Sequence, residues 1–283
     1  MLELVAQLFP DEFAELDSYC RRSASYVDDR IGRFEREVQF YLAYLDYIAP
    51  IRARGQSFCY PQVSTEFREL RLVGGYDLPL AAKLAREGAS VVGNDAQLTG
   101  DERALVVSGP NQGGKTTFAR MIGQIHYLAE LGLAVPARSA EVFLPDRIFC
   151  HFEQEERLST LRSRLENDLE RMHDILAEAT SSSLVILNET FSSTTLSDAT
   201  FLGKAILQRL LERGLFCVYV TFIDELASLS GATVSMVAMV DPVDPARRTY
   251  SILRRPADGL AYAAAISHKY GLDYEQLKHR IGS

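Results

Sequence analysis

Eight consecutive residues, Gly109-Pro110-Asn111-Gln112-Gly113-Gly114-Lys115-Thr116, fit the spacing G-x-x-x-x-G-K-[ST]. Glycines there let backbone N–H groups converge on phosphate oxygens, and a helix starting at the loop adds a favourable dipole. In that reading the loop and the following Thr117 cradle a nucleoside triphosphate. Lys115 reaches its terminal phosphates and Thr116 offers a hydroxyl to Mg²⁺. Binding alone is not hydrolysis, which also needs a group on the metal and a group that positions water. The run Leu184-Val185-Ile186-Leu187-Asn188-Glu189 is an apolar strand with two polar residues at its end. Glu189 is the candidate for positioning the attacking water, against the competing reading of a solvated strand-end carboxylate. Asn188 stands where the Walker B pattern has Asp, and its uncharged carbonyl holds Mg²⁺ more weakly than a carboxylate.

The elements that must carry these residues follow from pattern. Ala104–Ser108, Ser183–Leu187, Leu215–Thr221, Thr233–Val240 and Arg248–Arg254 read as strands. Thr117–Leu131, Leu158–Ala179, Ser197–Glu212, Asp224–Leu229 and a closing stretch Tyr274–Ile281 read as helices. Strands alternating with helices predict an α/β domain with a mainly parallel central sheet. The last two strands, split by Asp241-Pro242-Val243-Asp244-Pro245, suit an antiparallel hairpin at the sheet edge. Upstream, Pro10 to Ile48 reads as one long helix or a bent pair stopped by Pro50. Phe34, Val38, Tyr41, Leu45 and Ile48 recur at helical spacing and predict a packed stripe rather than a base-stacking platform. Two regions result: a helical segment with connector over 1–68, and the α/β domain over 69–283.

Composition narrows the classes. The chain has 283 residues, 47% of them hydrophobic, and a net charge of −8. A protein that grips duplex DNA unaided carries a basic footprint, which disfavours DNA contact by this segment alone. Its four cysteines, Cys20, Cys59, Cys150 and Cys217, include no C-x-x-C pair and suit free thiols in a reducing compartment. The start, MLELVAQLFPDEF, has no basic region before an apolar run. No stretch is long and apolar enough to span a bilayer. A cytoplasmic protein with no membrane partner is expected.

Several blocks resemble the ATPase domain of MutS-type DNA mismatch-repair proteins. Ser108 to Thr116 is similar to that family's T-G-P-N-M-G-G-K-S loop. Val135-Pro136-Ala137 and Asp146-Arg147-Ile148-Phe149 resemble its V-P-A and D-R-I-F blocks. Ile175-Leu176, Ala179-Thr180 and Ser183-Leu184-Val185 resemble its approach to Walker B, and Thr194-Thr195 with Asp198 its T-S-T-x-D-G segment. Arg162-Ser163 falls on its R-S-T-F block, with Ser159-Thr160 as a rival register. The resemblance runs from about Asn94 to the C-terminus and implies an ABC-like P-loop NTPase preceded by the end of a helical lever. It further implies ATP and Mg²⁺ as ligands and a homodimer with composite sites. Ser163 would be the serine reaching a partner's γ-phosphate, and Asp198 would lie in the segment crossing between sites. DNA would be met through regions outside this chain.

Three departures mark a divergent subgroup. Asn188 replaces Asp. Phe222 takes the His position in Thr221-Phe222-Ile223-Asp224-Glu225-Leu226, and a Phe cannot hydrogen-bond a phosphate. Phe191-Ser192-Ser193 replaces G-R-G. The residues thus leave open a mismatch-linked ATPase, a nucleotide-operated dimerisation module with little or no hydrolysis, or another ABC-type ATPase. The absence of an L-S-G-G-Q-like segment counts against the last.

Overall fold

A computed structural model describes residues 2–24, 27–64, 69–152, 164–241, 243–244, 247–257 and 278. The chain divides into two compact units, Met1–Pro50 and Ile51–Ser283.

The first unit is helical: α1 (Leu2–Leu8), α2 (Pro10–Ser23) and most of α3 (Asp29–Ala53). Pro10 opens α2 at a position where the missing N–H costs nothing. Two expectations are corrected here. Helix α3 does not stop at Pro50, which lies inside it; the turn ends instead at Gly55, with φ 82°. Proline near the end of a helix forfeits one hydrogen bond, and a buried Ile51 keeps the last turn in place. Nor is the stripe from Phe34 to Ile48 packed along its length: Ile48 is buried and Val38 half-buried, but Phe34 is 66%, Tyr41 44% and Leu45 42% exposed. Tyr44 and Ile51 are the other buried positions on this helix.

The second unit holds two sheets. The smaller comprises β1 (Gln62–Ser64), β2 (Leu70–Gly75), β3 (Asn94–Leu98) and β5 (Ser139–Phe143), in the order β1-β5-β2-β3. Helix α4 (Leu78–Arg86) leaves β2, capped by Asp77, whose side chain accepts from Leu80 N. The larger sheet comprises β4 (Ala104–Ser108), β6 (Ile148–Phe152), β7 (Leu184–Asn188), β8 (Phe216–Val220), β9 (Thr233–Val240) and β10 (Arg248–Arg254). Its order is β10-β9-β4-β8-β7-β6; all neighbours are parallel except the edge strand β10. Strands β4, β7 and β8 are buried along their whole length, as runs covered on both faces must be.

Helix α5 (Lys115–Glu130) packs on β7 and β8, and α7 (Leu196–Glu212) on β8. Of the expected helix Leu158–Ala179, the described part is α6 (Arg164–Glu178). Asp224–Ser228 is a 3₁₀ turn rather than an α-helix, and the expected helix Tyr274–Ile281 lies outside the described residues, save Lys278. The D-R-I-F and A-T-x-x-S-L-V blocks meet in space. Asp146 accepts from Thr180 Oγ1 at 2.5 Å and from Ser183 Oγ at 2.7 Å.

His126 lies on α5 with no exposed surface. Its Nδ1 is 2.9 Å from the Ile122 carbonyl and its ring is edge-on to Phe143. Burial pushes its pKa from 6.5 down to about 4, so the core holds it neutral. As pH falls, the unfolded chain therefore takes up a proton first. The stability is fully present above pH 6.5 and is lost as pH drops toward 4, by roughly 3 kcal/mol. Urea unfolding between pH 7.5 and 4 should show a shallower pH dependence for His126→Leu than for the wild type; identical slopes would contradict a buried neutral imidazole.

Candidate functional site

The loop 109–114 leaves the C-terminal end of β4, and helix α5 starts at Lys115. Two glycines answer to specific crowding. Gly109 has φ 110°, and a Cβ there would lie 2.9 Å from the Ala238 carbonyl oxygen. A Cβ on Gly113 would lie 2.9 Å from the Pro110 oxygen. The loop is folded tightly against β9, and only hydrogen at these positions permits it.

Lys115 is 4% exposed. Its Nζ donates to the Gly109 carbonyl at 3.0 Å, the Pro110 carbonyl at 3.2 Å and Asn111 Oδ1 at 3.3 Å. It faces Glu189 Oε1 at 3.8 Å. Burial holds the ammonium below the ordinary lysine pKa. The Arg248 charge acts the same way, while Glu189 and Asp224 oppose it. Arg248 Nε donates to the Asn111 carbonyl at 3.1 Å, so a second cation is fastened to the loop.

Glu189 follows β7 in a left-handed conformation, φ 52°, and Phe191 repeats it at φ 64°. Glu189 N donates to Val220 O at 2.9 Å, so the turn stays attached to β8. Because β8 intervenes between β4 and β7, the carboxylate stands two strands from the loop, across the carboxyl edge of the sheet. That edge is where open α/β sheets bind ligands. Asn188 is 6% exposed, and its Oδ1 is buried with no partner among the described residues.

A cavity of about 520 Å³ adjoins the loop. Its polar lining comes from Gln112, Gly114, Lys115, Thr116, Thr117 and Glu189. Its apolar lining comes from Leu80 and Leu84 of α4 and from Val91 and Val92, and Tyr250 lines it as well. Tyr250 has φ 58° within an irregular stretch of the β9–β10 pairing. Asn94 fastens it: its Nδ2 donates to Tyr250 O at 3.1 Å, and its Oδ1 accepts from Ile252 N at 2.6 Å. These contacts join the two sheets at the cavity.

The structure thus brings Gly109 to Thr117 and Glu189 together, with Asn188 one residue before Glu189 on β7. Phe222, at the end of β8, is 46% exposed and does not line the cavity. Asp198 is engaged locally, accepting from Thr195 Oγ1 at 2.9 Å while its own N–H donates back to that oxygen at 3.2 Å. This is a reciprocal cap on α7. Ser163 and the rival Ser159-Thr160 lie outside the described residues. Arg248, Asn94, Tyr250 and the α4 wall were not singled out from sequence. They come from a distant strand and helix, and only the irregular hairpin brings Tyr250 in.

Fold and site together define a class: an α/β domain whose strand–glycine loop–helix unit faces an acidic strand end. Residues 105–274 match MutS domain V, and the chain belongs to the MutS family. It is 33% identical to the endonuclease MutS2 of Thermus thermophilus over 189 residues, 66% of this chain and 25% of that protein. It is 35% identical to the DNA mismatch repair protein MutS of Erythrobacter litoralis over 192 residues, 67% of this chain and 22% of that protein. The MutS of Thermotoga neapolitana is 28% identical over 237 residues, covering 84% and 28% respectively. The chain therefore spans about a quarter of the length of these relatives. Among the described residues no helix is long and apolar enough to cross a membrane.

Gly109→Ala should destabilise the protein by about 1–3 kcal/mol, because a left-handed residue would also press its methyl on the Ala238 backbone. Denaturant unfolding with an unchanged midpoint would contradict this packing.

Proposed function

We propose that this domain binds ATP with Mg²⁺ at the loop–cavity site and hydrolyses it, as the ATPase part of a DNA mismatch- or damage-linked protein. The observation that carries the reading is Lys115, a buried lysine that lines a cavity together with residues of the glycine loop and the Glu189 carboxylate. The oxygens that accept from this buried cation are all uncharged, and the Glu189 carboxylate stands further off at 3.8 Å; phosphate oxygens would give it charge-assisted hydrogen bonds. The apolar lining, with Leu80, Leu84 and Tyr250, suits the flat face of a base. Arg248 and Lys115 put two positive charges beside the anionic tail.

The residues fit the metal as well. Thr116 offers a hydroxyl, and the buried, unpartnered Asn188 Oδ1 is an acceptor that a metal-bound water would satisfy. Mg²⁺ bound with the nucleotide supplies charge neutralisation on the phosphates. Glu189 orients water and accepts its proton as that water attacks the γ-phosphorus; the leaving group is ADP. Two copies pair so that Ser163 of one completes the site of the other, in the ABC-like P-loop arrangement. DNA contact lies in parts beyond this chain, in a cytoplasmic protein.

A second reading, ATP-driven dimerisation with little turnover, is favoured by two observations. Asn188 carries no charge, and Phe222 offers no hydrogen bond from the β8 end.

Lys115→Ala should weaken ATP binding by on the order of 100-fold, read by calorimetric titration, since the loop loses its charge-matched ligand. Unchanged affinity would eliminate the site. Glu189→Ala should keep ATP affinity and lower phosphate release by on the order of 100-fold or more. A variant that turns over at the wild-type rate would move water positioning to another residue.

A further inference from the structure

The Glu189 turn is anchored at both ends. At one end Glu189 N donates to Val220 O of β8 at 2.9 Å. At the other, Phe191 N donates to Asp168 Oδ2 at 3.0 Å, across from α6. The second carboxylate oxygen, Asp168 Oδ1, lies 2.8 Å from His151 Nε2 on β6. Both side chains are largely buried, at 14% and 15% exposure. Phe191 itself has no exposed surface. Two residues of this turn, Glu189 and Phe191, hold left-handed backbone angles that L side chains disfavour. Such a conformation persists only where its surroundings over-determine it. Buried Phe191 anchors the turn from below, and its amide needs an acceptor that the turn itself does not supply.

We propose that Asp168, held in orientation by His151, is a positioning residue that fixes the Glu189 turn for water activation. Asp168 touches neither the cavity nor Lys115; it acts through the Phe191 amide. One oxygen holds the turn while the other is committed to His151, so the carboxylate cannot rotate away. Helix α6 thereby has a direct mechanical connection to the carboxylate that faces Lys115. The inference rests on the ATPase reading and names a further part of the same site.

The full chain should be compared as wild type, Asp168→Ala, Asp168→Asn and Glu189→Ala, by ATP titration, phosphate release and hydrogen exchange over residues 189–193. Asp168→Ala should lower turnover by on the order of 10- to 100-fold through misplacement of Glu189, with ATP affinity unchanged. Its Phe191 amide should lose protection that the wild type has. Asp168→Asn keeps an acceptor for Phe191 N and a polar partner for His151, and should retain most of the turnover and the protection. The assignment is overturned if Asp168→Ala turns over like wild type, if its ATP affinity falls in step with turnover, if Asn rescues nothing, or if the Phe191 amide exchanges equally in all forms. Loss of turnover in Glu189→Ala together with full activity in Asp168→Ala would sink this inference alone. Wild type without turnover would sink it together with the ATPase reading.

Discussion

The site is organised by the enclosure of one ammonium group. Lys115 opens α5 after the loop 109–114 that leaves β4, and three oxygens of that loop accept from its Nζ. A lysine placed there without acceptors would be strongly disfavoured. The tight approach of Gly109 to Ala238, and of Gly113 to Pro110, brings those carbonyls within reach. The strand order then fixes what the ammonium faces. With β8 between β4 and β7, the acidic strand end is held one strand further away, and Glu189 stands 3.8 Å from the ammonium. Lys115 and Glu189 are held apart by the sheet and together by charge.

The smaller sheet and the edge hairpin turn this polar cluster into a site with depth. Asn94 begins β3, yet both ends of its amide are spent on β10, at Tyr250 and Ile252. That clamp holds Tyr250 in its left-handed conformation at the cavity wall. Asp77 makes the matching connection on the other side. It caps α4 and also pairs with Arg120 at 3.0 Å and accepts from Gln124 at 2.8 Å, both on α5. The helix that carries Lys115 and the helix that brings Leu80 and Leu84 to the cavity are thus tied by a buried carboxylate. In the proposed reading, phosphates and base are gripped by elements that cannot move independently.

The core of this architecture was legible in the chain because its central strands are apolar-rich runs, Ala104–Ser108 and Thr233–Val240 among them. The more polar Arg248–Arg254 was legible from the turn residues before it, and it is the antiparallel edge. The smaller sheet was not legible: β3 reads NDAQL and β1 is three residues long, too short and too polar for period-two patterning to register. The N-terminal stripe failed for a different reason. Helical spacing of aromatic residues identifies a helix but not which face is covered: of the expected stripe Ile48 is buried, while Tyr44 and Ile51 take the places of exposed Tyr41 and Leu45. Gly109 to Thr117 and Glu189 announced themselves by motif. Arg248, Tyr250 and Asp168 did not, because each reaches the site across a long stretch of chain through a backbone contact with no sequence signature.

In the proposed reading the buried ammonium and its loop grip a triphosphate. The most direct measurement is calorimetric titration of the wild-type chain with ATP, ADP and AMP in the presence of Mg²⁺. Saturable one-site binding of ATP and ADP is expected, with AMP far weaker, since AMP lacks the phosphates that Lys115 would hold. Equal affinity for all three, or no binding of any, would contradict it.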